Sequence, residues 1–197
     1  AYTVKHEFIM GSLDKVHTIR NDKGEVNFTH PVYDDKKRNA VVLKDSNMHI
    51  SKAHGKFLET SPKFDGCSFD LVVKPAESGS CLSLTCATRG DGQWGADILP
   101  HIMNSHFYDN FSMLEQACET LLVDGYDALV IRGEAVIKNS VYNRKYADKF
   151  KNSRVFVSGN LYREFDEGVT PKEKAEHEIH KSMCDDIDFV CYDYRRV

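Results

Sequence analysis

The sequence predicts an α+β fold of mixed, mainly antiparallel sheets with flanking helices. Period-two alternation marks the strands and capped 3.6-residue periodicity marks the helices. The two do not alternate regularly enough for a doubly wound parallel sheet. In 67–73, Cys67, Phe69, Leu71 and Val73 share one side against Ser68 and Asp70, the pattern of a half-buried strand. Pro75 to Ser80 is turn chemistry, and Leu82, Leu84 and Cys86 then alternate with Ser83 and Thr85, completing an antiparallel hairpin. Ser112 and Glu115 form a capping box for a helix with Leu114, Cys118, Leu121 and Leu122 on its inner stripe, ended by Gly125. Residues 127–137 read as a strand interrupted by a glycine. Thr170, Pro171 and Glu173 open a charged helix to about Met183, and IDFVCYDY closes with a strand.

The 197 residues suffice for one sizeable core, and 41% hydrophobic with 28% charged residues is ordinary for a globular chain. No apolar run nears the roughly 18 residues of a membrane-spanning helix. The N-terminal AYTVKHEFIMGSL lacks the basic start and apolar centre of a signal peptide. Six cysteines with no CxxC pair read as free, buried thiols in a reducing, cytoplasmic setting. Nine histidines without HxH or HExxH spacing give no metal assignment. A net charge of −4 argues against bulk electrostatic coating of nucleic acid, so such binding needs a local basic patch.

Lys63, in SPKFDGC, stands just before the first hairpin strand, with Asp65 two residues on. A lysine attacks only when neutral, and with a free pKa of about 10.4 fewer than roughly one in a thousand is neutral at pH 7. Desolvation or neighbouring cations raise that fraction. The other reading of such a turn is surface decoration. Thr88 to Asp97, TRGDGQWGAD, puts three glycines in six residues around Arg89 and Asp91. Backbone amides and the Arg89 guanidinium there suit phosphate, and a flexible hairpin loop is the alternative.

Taken together, KFDG, a hairpin and TRGDGxxGxD resemble the adenylation domain of NAD-dependent DNA ligases. Further segments agree in order. Lys5-His6 through Met10 to Leu13-Asp14 is similar to the family's K-H-x-x-P-M-L-S-L-D, which lines the adenine pocket. Arg132-Gly133-Glu134 matches its R-G-E, Asn152-Ser153-Arg154 through Gly159 and Leu161 its N-P-R-N-A-A-A-G-S-L, and Phe189 to Tyr192 its F-x-x-Y. The chain departs from the pattern at Ile9, at Ser61 (a glutamate in the family), at Ala96 and at Val155 to Ser158.

The resemblance implies a nucleotidyltransferase adenylation fold over 1–197 and the following roles. Lys63 is the nucleophile that takes AMP from NAD. Ser12 and Leu13 wall the nucleotide pocket, Asp65 and Glu134 orient ribose or Mg2+, Arg89 holds phosphate and Tyr192 stacks on adenine. The family's nicotinamide-mononucleotide-binding domain would precede Lys5, and its D-G-x-V-x-K strand and oligonucleotide-binding barrel would follow Tyr192. The expectation is therefore an adenylation core that seals nicked double-stranded DNA with a second ligase subunit supplying those parts, in the cytoplasm (host cytoplasm for a viral protein). From Lys138 to Arg154, cations interleave with Tyr142, Tyr146 and Phe150. Lys145, Lys149 and Arg154 are candidate DNA contacts, and a solvated face with aromatics packed inward is the alternative. An ATP-dependent DNA or RNA ligase shares K-x-D-G, and a non-catalytic nucleotide- or nucleic-acid-binding subunit is the reading from a different class.

Overall fold

A computed structural model describes residues 2–8, 10, 63–75, 82–110, 112, 116, 124–166 and 168–197, which belong to one unit joining the first ten residues to 63 onward. Strand β1 (Thr3–Lys5) pairs antiparallel with β4 (Trp94–Ala96). Strands β2 (Cys67–Pro75), β3 (Leu82–Thr88), β5 (Leu129–Val136) and β6 (Asp188–Arg196) make an antiparallel sheet in the order β3-β2-β5-β6. The helices are α1 (Leu99–Met103), α2 (Asn139–Lys145), α3 (Ser153–Leu161) and α4 (Pro171–Cys184), with a 3-10 turn at His106–Asn110. The mixed α+β class with antiparallel sheets agrees with the sequence reading.

Alternation sorts the side chains of β2. Phe69, Leu71 and Val73 join Ile131 and Ala135 of β5, Ile102 of α1, Tyr142 of α2 and Phe156, Val157 and Leu161 of α3 in one core. The opposite face was expected to be open, yet Asp70 and Val72 are buried as well. The reason is the N-terminal segment: Phe8 packs on Val72, Ala128 and Val130, and Glu7 pairs with Lys74. Burial raises the Asp70 carboxyl, opposed by its ion pair with Arg132 (Nε to Oδ1, 3.0 Å).

The helix starts follow their local chemistry. Thr170 Oγ1 accepts from the Glu173 amide and Glu173 returns the bond to the Thr170 amide, so the predicted capping box opens α4 with Pro171 in its first turn. Asn152 Oδ1 accepts from the Val155 amide at 2.8 Å to start α3. Ser112 and Gln116 are helical and Gly125 has a φ of 79°, the left-handed form of a helix-ending glycine. The capping glutamate and apolar stripe between them lie outside the described residues, as do the 76–81 turn, Cys81 and Cys118. Cys67, Cys86, Cys184 and Cys191 are free thiols; the first is half-buried and the next two are buried. Cys191 is exposed, contrary to expectation, since the residues of edge strand β6 are exposed from 191 onward. No helix among the described residues is long and apolar enough to cross a membrane.

Candidate functional site

The segment carrying Lys63 enters β2 against β5, where Ser68 faces Glu134 and Asp70 faces Arg132. Glu134 is 8% exposed. Its Oε1 accepts from the Gly66 amide at 3.2 Å and its Oε2 from the Ser68 hydroxyl at 2.6 Å. A Cβ on Gly66 would lie 2.0 Å from the Ala135 carbonyl oxygen, so only glycine lets the turn come this close. Next along β5, the pairing with β6 shifts register between Arg132, opposite Asp193, and Gly133, opposite Cys191. That bulge at the anticipated glycine leaves Tyr192 without a ladder partner and re-aims its ring. Tyr192 is 54% exposed, and its phenol is pushed up by burial of the hydroxyl end and by the nearby Glu134 carboxylate, while a bond to Ser68 pulls it down.

The loop after β3 is held rather than loose. Gly90 and Gly92 take φ of 53° and 95°. Asp91 Oδ1 accepts from the Gln93 and Trp94 amides at 2.8 and 2.7 Å, Asp91 N–H donates to Trp94 O, and Gly92 N–H to Arg89 O. These amides are spent inside the turn, which corrects the expectation that they face a phosphate. What the loop leaves is the Arg89 side chain, which no described residue pairs. Its amide donates to Ser68 O at 2.9 Å, tying the loop to β2 beside Glu134. From the covering segment, His6 Nε2 lies 3.0 Å from Thr88 O and 3.2 Å from Arg89 O.

The structure thus gathers Gly66, Ser68, Arg89, Glu134 and Tyr192 at one end of the sheet, with Lys63 leading into it. Lys63 and Asp65 are exposed, and among the described residues only Arg154 pairs with Asp65, at 3.9 Å. Ser12 and Leu13 lie outside the described residues. Lys145 is engaged by Asp186 at 2.8 Å, and Lys149 is exposed. The aromatics between them pack inward: Tyr146 stacks on Phe156 at 4.2 Å and Tyr142 donates to Phe150 O at 2.6 Å. Ser68 and His6 were not singled out for these contacts. Ser68 carried one signal, its place on the polar side of the β2 alternation. Among the described residues, no cluster of three metal-ligating side chains includes Glu134. Glu134 offers one carboxylate, both of whose oxygens already accept from Gly66 and Ser68, so Mg2+ here would take most of its octahedral oxygen ligands from elsewhere.

Parts of the chain are similar to other proteins. A protein of Campylobacter fetus subsp. fetus is 32% identical over 122 residues, covering 58% of this chain and 16% of its own length. One from Rickettsia akari is 29% identical over 119 residues, covering 60% and 16%. One from Invertebrate iridescent virus 6 is 30% identical over 154 residues, covering 78% and 18%. Each carries DNA ligase in its name. The chain spans about a sixth of the length of these curated relatives. No family model matches it.

Proposed function

We propose that this chain carries the adenylation step of a DNA ligase that uses NAD, with Lys63 as the residue that takes AMP. Similarity to part of several proteins named DNA ligase supports the reaction class. The observation that carries the residue assignment is the pair of hydrogen bonds that Glu134 accepts from the Gly66 amide and the Ser68 hydroxyl, the first of which ties down the backbone three residues beyond Lys63. A nucleophile on a positioned backbone has little rotational freedom to lose before attack.

In the proposed reaction the lone pair of neutral Lys63 Nζ attacks the adenylyl phosphorus. A P–N bond forms, the P–O bond to nicotinamide mononucleotide breaks, and that group leaves with the electron pair. The amine proton goes to solvent or a base. Arg89 offsets negative charge growing on the phosphate, Asp65 and Glu134 border the sugar side, and Tyr192 gives a ring face for adenine. Mg2+, when bound with the nucleotide, adds charge stabilisation. The adenylate then passes to the 5′-phosphate of a nick, and the 3′-hydroxyl displaces AMP to seal it. Arg154 and Lys149 offer phosphate contacts, and a second ligase subunit supplies the barrel and last motif. The viral relative makes a host-cytoplasmic setting the natural one to examine.

The test is incubation of the chain with Mg2+ and either NAD or ATP labelled in the adenylyl group. One AMP transferred from NAD, lost in Lys63→Ala, is the expected result. Transfer from ATP alone overturns the donor, and absence of transfer with an added barrel-bearing ligase fragment overturns the enzyme reading in favour of a binding subunit.

A further inference from the structure

On the helical side of the sheet lies a cluster that the adenylation chemistry does not use. His101 on α1 and His180 and Cys184 on α4 bring their ligand atoms within 4.8 Å of one another. They are 4%, 2% and 9% exposed. His180 and Cys184 are four residues apart on a helix, one turn on the same face. His101 comes from an element some eighty positions earlier, which is why no linear spacing revealed the group.

Three independent observations point to a ligand. Among the described residues neither buried ring nitrogen of His101 has a well-formed hydrogen bond, the Asn160 and Arg163 backbone coming near without completing one, a costly state for an imidazole unless something else occupies a lone pair. His180 Nε2 lies 2.9 Å from the Asn160 carbonyl oxygen. A carbonyl only accepts, so Nε2 carries the proton and Nδ1 offers its lone pair, the arrangement that metal-binding histidines adopt. A cleft of about 540 Å3, lined in part by Ser105, His106, Asp109, Cys184 and Asp185, reaches the cluster at Cys184 and carries two carboxylates. Phe165 packs edge-on against His101 at 5.0 Å and beside His180 at 5.6 Å, walling the other side with apolar surface.

We propose that His101, His180 and Cys184 bind one Zn2+ ion, with the fourth position open to water from the cleft. Two imidazoles and a thiolate suit a borderline-soft ion and do not suit Mg2+ or Ca2+, which take oxygen donors. Tetrahedral zinc with bonds of about 2.0–2.3 Å needs ligand atoms roughly 3.4–3.6 Å apart, so the widest pair closes by about 1 Å. The Cys184 thiol gives its proton to solvent as the Zn–S bond forms. The ion ties α1, whose preceding residue Ile98 donates its amide to Cys86 O of β3 at 2.9 Å, to α4, which leads into β6. It therefore links elements at the two edges of the sheet, β3 and β6.

The full chain is stripped with a chelator, dialysed against ZnCl2 and analysed for metal, then loaded with CoCl2 for absorption spectroscopy. The expected result is one zinc per chain, a higher melting temperature reversed by chelator, and a thiolate-to-cobalt charge-transfer band with tetrahedral d–d bands. His101→Gln and Cys184→Ser, each checked for folding by circular dichroism, should weaken zinc by at least about 100-fold, and Cys184→Ser should abolish the charge-transfer band. His106→Ala, at the cleft's rim, should bind zinc as the parent does. Zinc well below one per chain, zinc retained undiminished in both His101→Gln and Cys184→Ser, a parent cobalt spectrum without the thiolate band, or binding of copper alone each overturns the assignment.

Discussion

Gly66 allows the sharpest test of how Lys63 is positioned. Its φ is not in the left-handed region, so the residue is needed for space and not for backbone freedom. An added Cβ would sit 2.0 Å from the Ala135 carbonyl oxygen and 2.9 Å from a Val136 methyl, whereas Cβ contacts essentially never fall below 3.0 Å. In Gly66→Ala the start of β2 must therefore retreat from β5 by about 1 Å. That retreat lengthens the Gly66–Glu134 bond of 3.2 Å out of hydrogen-bonding range. Overpacking of this kind costs roughly 1–3 kcal/mol, a drop of about 2–12 °C in Tm for a chain of this size. A 1 Å misplacement of a reacting group costs on the order of 100-fold in rate. Gly159 in α3 is the control: nothing lies within 4 Å of its would-be Cβ, so Gly159→Ala should gain about 0.5–1 kcal/mol from helix propensity and leave labelling alone. The assay is the rate of AMP transfer from NAD, run well below either Tm. A Gly66→Ala rate within about threefold of the parent would refute the claim that Glu134 and the Ala135 backbone position the lysine.

Glu134→Gln puts an amide nitrogen against one of two donors, Gly66 N–H or Ser68 O–H, costing about 1–3 kcal/mol in urea denaturation. The same change removes a charge that raises the Tyr192 phenol, so ultraviolet titration should show that group ionising at lower pH. Phe156→Ala removes a fully buried ring packed on Tyr146 and Phe150, and should cost about 3–5 kcal/mol, roughly 6–20 °C in Tm. Burial raises Asp70 above the ordinary 3.8, so the folded chain holds that proton more tightly than the unfolded one. Its contribution to stability falls as pH climbs from 3.8 through the raised value, and Asp70→Asn should flatten that part of a urea-midpoint profile against pH.

The four strands of the larger sheet and the α4 capping box were legible because each is set by neighbours in sequence, through alternation and side-chain-to-amide bonds, whereas the short pair β1 and β4 carries no such pattern. The burial of Asp70 and Val72 was not, since the cover comes from Glu7 and Phe8, some sixty positions away. The state of the loop amides was hidden for a related reason. Composition shows that glycines permit close approach, but Asp91 decides what the amides approach, and here it is the loop itself. Lys145 looked like a free cation in a basic run until the fold set it against Asp186. Residues paired across long separations hide their chemistry, and His101 with His180 and Cys184 is the extreme case.

The two faces of β2 divide the work, and the division makes the functional reading separable from stability. Phe69, Leu71 and Val73 point into the helix-covered core, while Ser68 and Asp70 meet Glu134 and Arg132 on the face under the N-terminal segment. A strand buried on both faces carries a penalty for every polar side chain on it unless that group is bonded. Ser68 meets this condition through Glu134. Asp70 meets it at Oδ1, while Oδ2 has no partner among the described residues. Asp70 is thus a buried carboxylate half-satisfied beside Arg132, on the same face of β2 as Ser68. Substitutions at 69, 71 and 73 should therefore move Tm first, and those at 68 and 70 should move AMP transfer more than their Tm shifts explain.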